Sequence, residues 1–307
     1  MDNPMPHDAV IIGGSYAGLS AAMQLVRARR RVLVIDDGRR RNRFAARAHG
    51  VLAMDGRAGS DIAAEARSQV AAYPTAAFRM AEATAARAID SGFEITLDDG
   101  STTSGRRLLL AHGVVDDLPD LPGVKERWGR TALHCPYCHG YEIGGGALGV
   151  LGAGPMSVHQ ALMVADWGDV TLFLNGSLSP DQEETTKLAR RGVMIEREPV
   201  VGLEGEAPTL TGARLADGRL VPLKAIFVGP RLRQPGPMAE TLGCIVDETP
   251  MGHIVRTDEW KQTSVAGVFA AGDTAAMMSN LTLASASGVL AGVALHRSLI
   301  EEEIGGF

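Results

Sequence analysis

The chain has 307 residues, which is enough for two domains of ordinary size. Hydrophobic residues at 45% and charged residues at 21% are typical of a soluble globular protein, and a formal net charge of -6 argues against a general nucleic-acid binder. The chain has three cysteines, no basic-then-apolar leader and no apolar run of roughly 18 residues, so we expect a cytoplasmic protein with no membrane partner.

The first chemical motif is a glycine loop between a strand and a helix. Ala9–Ile12 is a short apolar run that predicts a buried parallel strand, and Leu19–Arg29 has helical periodicity. Between them, Gly13–Gly18 provides the tight turn and close backbone approach that a dinucleotide pyrophosphate requires. Ser15 takes the place of the second glycine of the usual pattern, which weakens the motif.

Carboxylates follow the next predicted strand. Val32–Ile35 is apolar, and Asp36 and Asp37 come directly after it, about twenty residues beyond the loop. A carboxylate there fits a ribose hydroxyl and repels a 2′-phosphate. These features favour a dinucleotide site over a structural glycine turn.

The rest of the first half carries weaker signals. The predicted features in chain order are a helix end at Arg27–Arg31, a solvated loop at Arg39–Arg43, a helix at Arg57–Tyr73, antiparallel strands at Phe93–Leu97 and Arg107–Ala111, and an interdomain hinge at Asp116–Gly123.

A CxxC motif lies in the middle of the chain. Cys135 and Cys138 are flanked by His134 and His139, and two cysteines on the first turn of a helix can close a reducible disulfide. Alone, the spacing also fits half of a zinc site or a structural disulfide. Adjacent histidines cannot easily point inward with both cysteines, and Cys244 is distant, so we expect no metal. Glycine loops before and after the motif favour a redox pair.

The second half repeats the organisation of the first. Ala147–Leu151 predicts a strand, Gly152–Ser157 a second glycine loop, Val158–Trp167 a helix and Val170–Leu174 a further strand. This pattern indicates a second Rossmann-like fold. Asn175 and its glycine neighbour follow the last strand, and they offer neither a carboxylate for a ribose nor an arginine pair for a 2′-phosphate. NAD(P)H therefore binds weakly here or is no longer bound.

The end of the chain predicts a return to the first domain. Gln234–Pro237 looks like a return hinge, Gly267–Asp273 a strand and turn, and Leu283–Leu299 a helix. The predicted domains are residues 1–115 together with 236–307, and residues 116–235, which carry the CxxC.

The order of these motifs resembles the low-molecular-weight thioredoxin reductase family of flavoprotein disulfide oxidoreductases. The resemblance covers nearly the whole chain and implies an α/β fold of two Rossmann-like, three-layer ββα domains, the second inserted into the first. It also implies FAD as cofactor. By this resemblance the residues that would contact FAD are Gly13, Gly14, Ser15, Ala17, Gly18, Asp36, Asp37, Asn42, Ala111, Gly113, Gly272, Asp273, Asn280 and Leu281.

The resemblance also assigns roles around the CxxC, with three departures. Cys138 would be the flavin-side sulfur and Cys135 the sulfur that meets substrate. His139 replaces the aspartate that these reductases carry after the second cysteine, Ser157 replaces a small residue, and a basic pair for NADPH is missing after the second strand. The run His134–Glu142 looks more like the dithiol oxidase branch, which forms disulfides in small natural products and passes electrons through FAD to oxygen.

Three functions follow from this pattern. The leading hypothesis is a dithiol oxidase acting on a small-molecule or peptide dithiol, with His139 moving protons and His134 as second candidate. The rival is an NAD(P)H-dependent reductase of a thioredoxin-like protein, and the third is a non-enzymatic flavin-binding redox sensor. Family resemblance implies a homodimer in each case.

Overall fold

The chain folds as two compact units, the second inserted into the first. The computed structural model describes residues 7–305, so the expectation for the leader positions 1–6 lies outside the described residues. The first unit extends to Arg41, resumes over Ser60–Val115 and returns at Leu232, and the second comprises Asn42–Gly59 and Asp116–Arg231. The sequence interpretation assigns positions 42–59 to the first domain, whereas in the structure this segment groups with the second unit.

Each unit contains βαβ segments together with runs of consecutive strands. The strands are β1 His7–Ile12, β2 Val32–Asp36, β3 Ala76–Met80, β4 Ala83–Ile89, β5 Gly92–Leu97, β6 Thr102–Leu110, β7 Val115–Asp117, β8 Ala132–Leu133, β9 Ala147–Leu151, β10 Asp169–Phe173, β11 Met194–Glu196, β12 Val200–Glu204, β13 Gly212–Leu215, β14 Leu220–Pro222, β15 Ala225–Val228, β16 Arg231–Arg233, β17 Val246–Thr249, β18 Gly252–Val255 and β19 Val268–Ala270. The helices are α1 Tyr16–Arg27, α2 Gly59–Ala71, α3 Pro136–Ile143, α4 Met156–Val164, α5 Gln182–Arg190, α6 Met238–Thr241 and α7 Leu281–Glu303.

The first unit is built on a seven-stranded mixed sheet. Its strand order is β3-β2-β1-β6-β5-β4, and β19 also pairs with β6. The strands β3, β2, β1, β6 and β19 are parallel, and β4, β5 and β6 form an antiparallel meander. The side chains of β1 alternate between two apolar cores, because successive residues of a strand point to opposite faces. Ala9 and Ile11 join one core, while Val10 and Ile12 join the other.

Helices α1 and α7 pack closely through glycines of α7. A Cβ atom added at Gly288 would lie 2.1 Å from the Ala17 carbonyl oxygen, and one added at Gly292 would lie 2.7 Å from that of Ala21. Neither distance is compatible with a side chain. The two glycines therefore allow α7 to cover α1 directly behind the first glycine loop.

By length and composition alone, α7 is the one helix within residues 7–305 that could cross a membrane. The expectation that the chain lacks such an apolar run is wrong in this respect. A core helix of a soluble protein passes the same test, and the side of α7 that carries Leu295 and Leu299 is fully buried in the core shared with α1.

The variant Gly288→Ala is expected to lower stability by about 1–3 kcal/mol, because the added methyl group overpacks the contact with α1. Helix propensity alone would predict a gain of up to about 1 kcal/mol, so the sign separates packing from propensity. The midpoint of urea unfolding measures the effect. Ser285→Ala on the same helix is the matched control, and an unchanged or higher midpoint for Gly288→Ala would contradict the close contact.

The second unit is a three-layer structure. Its central sheet is fully parallel, with the order β11-β10-β9-β15-β8. One face packs against α4 and α5 through residues such as Leu148 and Leu188. The other face packs against the antiparallel sheet β12-β13-β14, with Phe173 and Leu203 in the core between them. The predicted α/β fold with two Rossmann-like domains is confirmed.

Candidate functional site

The CxxC motif begins helix α3. Cys135 is the N-cap residue, Pro136 occupies the first turn, and Cys138 lies one turn into the helix. The two cysteines form a disulfide with a Cα–Cα distance of 5.3 Å, and the Cys138 N–H donates to the Cys135 carbonyl at 3.3 Å. Unpaired N–H groups and the positive end of the helix dipole stabilise a thiolate at this position.

His139 follows Cys138 on the helix, and its side chain is half-buried with both ring nitrogens fully enclosed. Neither nitrogen makes a hydrogen bond of good geometry among residues 7–305, although the Cys135 backbone lies close enough to favour the protonated ring. Burial lowers the pKa of His139 below its usual value, and the Cys135 backbone and the Glu142 carboxylate oppose this shift. The lowered pKa favours the neutral imidazole at the residue that directly follows the redox pair in the chain.

His134 is held by the backbone of the parallel sheet. Its Nδ1 lies 3.4 Å from the Val228 carbonyl oxygen at the end of β15, and its own carbonyl accepts a hydrogen bond from Gln160 Nε2 at 2.8 Å. These contacts orient the segment that enters the CxxC. The Nδ1 atom of His134 is thus engaged by the backbone, and the role of His134 as second candidate for proton transfer stays a prediction.

Two aromatic residues and one glycine define the surroundings of α3. Tyr137 and Trp167 meet edge to face, with ring centroids 5.4 Å apart. A Cβ atom at Gly140 would lie 2.7 Å from the Trp167 ring, so Gly140 gives the indole room to pack on the helix. The sequence analysis assigns no catalytic or binding role to Tyr137, Gly140 or Trp167.

The first glycine loop forms a tight cradle in the first unit. Gly13 has φ +104°, and a Cβ there would lie 2.2 Å from the Ala111 carbonyl oxygen. A Cβ at Gly18 would lie 1.9 Å from the Gly13 carbonyl oxygen. Ser15 is the N-cap of α1 and makes no capping bond with its side chain. The backbone thus leaves the start of α1 open to a phosphate, as in dinucleotide-binding folds.

Asp36 and Asp37 differ in what engages them. The Asp36 side chain lies against Gly14, where a Cβ atom would approach its carboxylate to 3.0 Å or less. Within the described part of the chain, no hydrogen bond or ion pair reaches that carboxylate. Asp37 instead accepts hydrogen bonds from the backbone and side chain of Arg39. Asp36 is therefore the acceptor available for a ribose.

Among the predicted residues from the later segments of the first unit, Ala111 packs against Gly13 of the loop and Gly272 against Ala17 of α1. The Gly113 N–H donates to Thr274 Oγ1 at 2.8 Å, and a Cβ at Gly272 would lie 2.8 Å from that of Ala17. Asn280 Oδ1 accepts from the Leu283 N–H at 2.7 Å and caps α7, which begins at Leu281.

Asp273 has a protein partner that sequence reasoning misses. It forms an ion pair of 2.8 Å with Arg41, which also donates to Ser279 Oγ at 2.9 Å. Arg41 belongs to the run Arg39–Arg43, which the sequence predicts to be a solvated loop, but its side chain is only 19% exposed. The solvated prediction is therefore wrong for Arg41.

The open helix start, the glycine cradle and the free Asp36 carboxylate fit the adenosine diphosphate part of FAD. The individual FAD contacts stay predictions. Asn42 lies in the 3-10 helix Arg41–Phe44 and falls in the second unit, so its contact with FAD stays a prediction too.

Polar side chains at and near the second glycine loop accept hydrogen bonds from backbone N–H groups of the same unit. Ser157 Oγ accepts the Ala153 N–H at 3.1 Å, and Asn175 Oδ1 accepts the Val200 N–H at 3.1 Å. A Cβ at Gly152 would lie 2.6 Å from the Leu174 carbonyl oxygen, so this glycine is needed for packing in any case. The Ala153 N–H of the loop is therefore satisfied within the protein, and the Asn175 side chain is engaged by the start of β12.

Comparison with known proteins places the chain in a defined group. The model of the family described as pyridine nucleotide-disulphide oxidoreductase matches residues 7–288. Thioredoxin reductase tcpT of Claviceps purpurea is 35% identical, with 96% of this chain and 95% of that protein covered. Thioredoxin reductase sirT of Leptosphaeria maculans is 31% identical, with coverage of 94% and 93%.

Two solved structures are also similar to the chain. An oxidoreductase from Agrobacterium tumefaciens superposes with a TM-score of 0.93 and 46% identity, covering 96% of this chain and 99% of that one. HlmI superposes with a TM-score of 0.91 and 36% identity, covering 99% and 96%. The likeness extends over both units.

Proposed function

The chain belongs to the pyridine nucleotide-disulphide oxidoreductase family and is a flavoprotein disulfide oxidoreductase of the thioredoxin reductase type, and within this family we propose that it acts as a dithiol oxidase. Its substrate is a small-molecule or peptide dithiol, which leaves as a disulfide. The final electron acceptor is O2.

The second glycine loop is the observation that carries this proposal over a reductase. Ser157 and Asn175 satisfy backbone N–H groups of their own unit, at 3.1 Å each. Positions 174–180, which follow β10, contain no acidic or basic side chain that could select a ribose or a 2′-phosphate. These features disfavour NAD(P)H binding and support a dithiol as the electron donor.

The cysteine pair carries out the exchange. A substrate thiolate attacks Cys135 Sγ, a substrate–Cys135 disulfide forms, the Cys135–Cys138 bond breaks, and Cys138 leaves as a thiolate. The second substrate thiolate then displaces Cys135, so the substrate loses two electrons and two protons and the cysteine pair gains the electrons. FAD, when bound, supplies the acceptor for this electron pair and the route to O2. The helix start at Cys135 stabilises the leaving thiolate.

His139 provides the proton acceptor. It directly follows Cys138 in the chain, neither ring nitrogen makes a hydrogen bond of good geometry within the described residues, and its lowered pKa favours the neutral imidazole near pH 7. It can therefore take a proton from a thiol and return it after the exchange. An aspartate at this position would need a much larger upward pKa shift for the same task.

Anaerobic mixing of the oxidised holoenzyme with single reductants tests the proposal. We expect dithiothreitol to bleach the flavin, NADPH and NADH to leave it oxidised, and air to restore the colour with repeated turnover. Flavin absorbance in a stopped-flow instrument measures each reaction. Rapid bleaching by NADPH or NADH would favour the reductase and contradict the oxidase. A single bleaching without turnover in air would indicate a redox sensor.

Assembly and location belong to the same proposal. A homodimer and a cytoplasmic location are implied by the family resemblance and by the three-cysteine composition. A thioredoxin-like protein is the partner only under the reductase alternative.

A further inference from the structure

A histidine from a distant segment reaches the CxxC helix. His49 belongs to the segment Asn42–Gly59 of the second unit, and its Nδ1 lies 3.2 Å from Glu142 Oε1 on α3. A weaker approach of 3.6 Å joins the same nitrogen to Asp55 Oδ1. The His49 side chain is 17% exposed and that of Asp55 67%, so the contact with Glu142 is the more sheltered of the two.

Glu142 also stands next to His139. The two residues are three positions apart on α3, a spacing that places side chains on one face of a helix. Burial lowers the pKa of His139, Glu142 opposes this shift and His49 adds to it. Glu142 and His49, which contact each other, therefore act on His139 in opposite directions.

The charged groups around His139 come from two elements. Glu142 lies on the same helix, and His49 and Asp55 come from the segment Asn42–Gly59. The Cys135 backbone at the start of α3 also favours the protonated ring. His49 and Glu142 therefore act on the imidazole as a coupled pair.

We propose that the Glu142–His49 pair controls the proton affinity of the His139 imidazole, with Glu142 favouring the protonated form and His49 opposing it. This inference rests on the proposed function of His139 as the proton acceptor of the dithiol reaction. Both are positioning residues, because they act through His139 and not on the sulfurs.

The pair therefore sets how readily His139 takes up and releases the proton. When the S–H bond of a thiol breaks, the proton forms an N–H bond on His139, and the negative charge remains on sulfur. Glu142 stabilises the imidazolium that results. His49 prevents this stabilisation from becoming so large that the imidazole stays protonated and unable to accept.

Titration of His139 in the oxidised holoenzyme tests the proposal without any turnover. The protein is labelled with ¹³C in its histidine rings, and the His139 signal is assigned as the one missing from His139→Gln. Glu142→Gln should lower the midpoint of the His139 titration and His49→Gln should raise it, each by about half a unit to one unit. Opposite signs are the expected signature, because a merely structural disturbance would not reverse between the two variants.

Two matched controls carry the same changes on exposed positions of the second unit. Glu126→Gln lies in a 3-10 helix and His159→Gln on α4, and both should leave the His139 midpoint where it is in the wild type. Circular dichroism and flavin absorbance show that each variant is folded and loaded. Shifts of the same sign, or none, in folded Glu142→Gln and His49→Gln would overturn the proposal.

A second measurement links the pair to the reaction. The rate of anaerobic bleaching by dithiothreitol rises with pH as His139 loses its proton, so this acidic limb should move down in Glu142→Gln and up in His49→Gln. An acidic limb at the same pH in both variants and in the wild type would overturn the positioning role. The proposed function fails by a different outcome, which is bleaching by NADPH or NADH.

Discussion

Replacing Cys138 with serine is expected to leave a yellow protein whose flavin no dithiol can bleach. The reaction needs a disulfide at the start of α3, and Cys135 alone cannot form it. Serine cannot form a disulfide with Cys135, and its hydroxyl provides no thiolate that could reduce the flavin. Dithiol-driven bleaching should therefore fall roughly a thousandfold or more. Anaerobic absorbance of the flavin after addition of dithiothreitol measures the loss.

The third cysteine supplies the matched control. Cys244 is buried in the first unit, its Sγ lies 3.5 Å from Thr263 Oγ1, and burial raises the pKa of its thiol. Cys244→Ser should therefore bleach at the wild-type rate. If dithiothreitol bleaches Cys138→Ser at the ordinary rate, the electron path through the pair is refuted. If Cys244→Ser no longer bleaches, Cys244 takes part in the reaction and the assignment to the pair is wrong.

Local patterns in the sequence are sufficient for the parallel strands and their loops. Ala9–Ile12 and Ala147–Leu151 are short apolar runs followed by glycines, and they appear as β1 and β9. The signal is strong because these strands are buried on both faces. Helix bounds differ by a few residues, as for α1, which begins at Tyr16 and not at Leu19, because the N-cap is set by loop geometry.

Strands with one exposed face escape the same reasoning. β3 and β4 are rich in alanine and half exposed, and alanine has a low preference for strands. Their pairing with β2 and β5 is set by tertiary contacts. A sequence without these contacts offers only weak alternation, so the two strands are not predicted.

Some residues of the candidate site belong to local motifs, and others are brought to it only by the fold. Cys135, Cys138 and His139 lie within five positions of one another, and their spacing together with the glycine loops on either side predicts redox chemistry. His49 lies 86 positions before Cys135 and carries no local motif, so only the fold brings it to Glu142. Arg41 lies in an arginine-rich run, and such runs are usually exposed to solvent. Its ion pair with Asp273 joins residues 232 positions apart in the sequence.

The variant Gly18→Ala is expected to yield a protein that retains little or no FAD. The added methyl carbon would lie 1.9 Å from the Gly13 carbonyl oxygen, so α1 must move away from the loop that it follows. The start of α1 would then leave the position from which its N–H groups face a pyrophosphate. The ratio of flavin to protein absorbance after desalting measures the loss, and a fully yellow variant would contradict the close packing.

Two further variants separate loss of the cofactor from loss of the fold. Gly236→Ala adds the same methyl group where no atom lies within 4 Å, so it should keep its flavin. Asp36→Asn keeps the backbone of the cradle but removes the negative charge that no residue of the described chain engages. Loss of charge-assisted hydrogen bonds worth about 1.5–3 kcal/mol should weaken FAD binding roughly 10- to 100-fold without changing the unfolding midpoint of the apoprotein. Wild-type FAD affinity in Asp36→Asn would show that this carboxylate does not hold the ribose, whatever Gly18→Ala does.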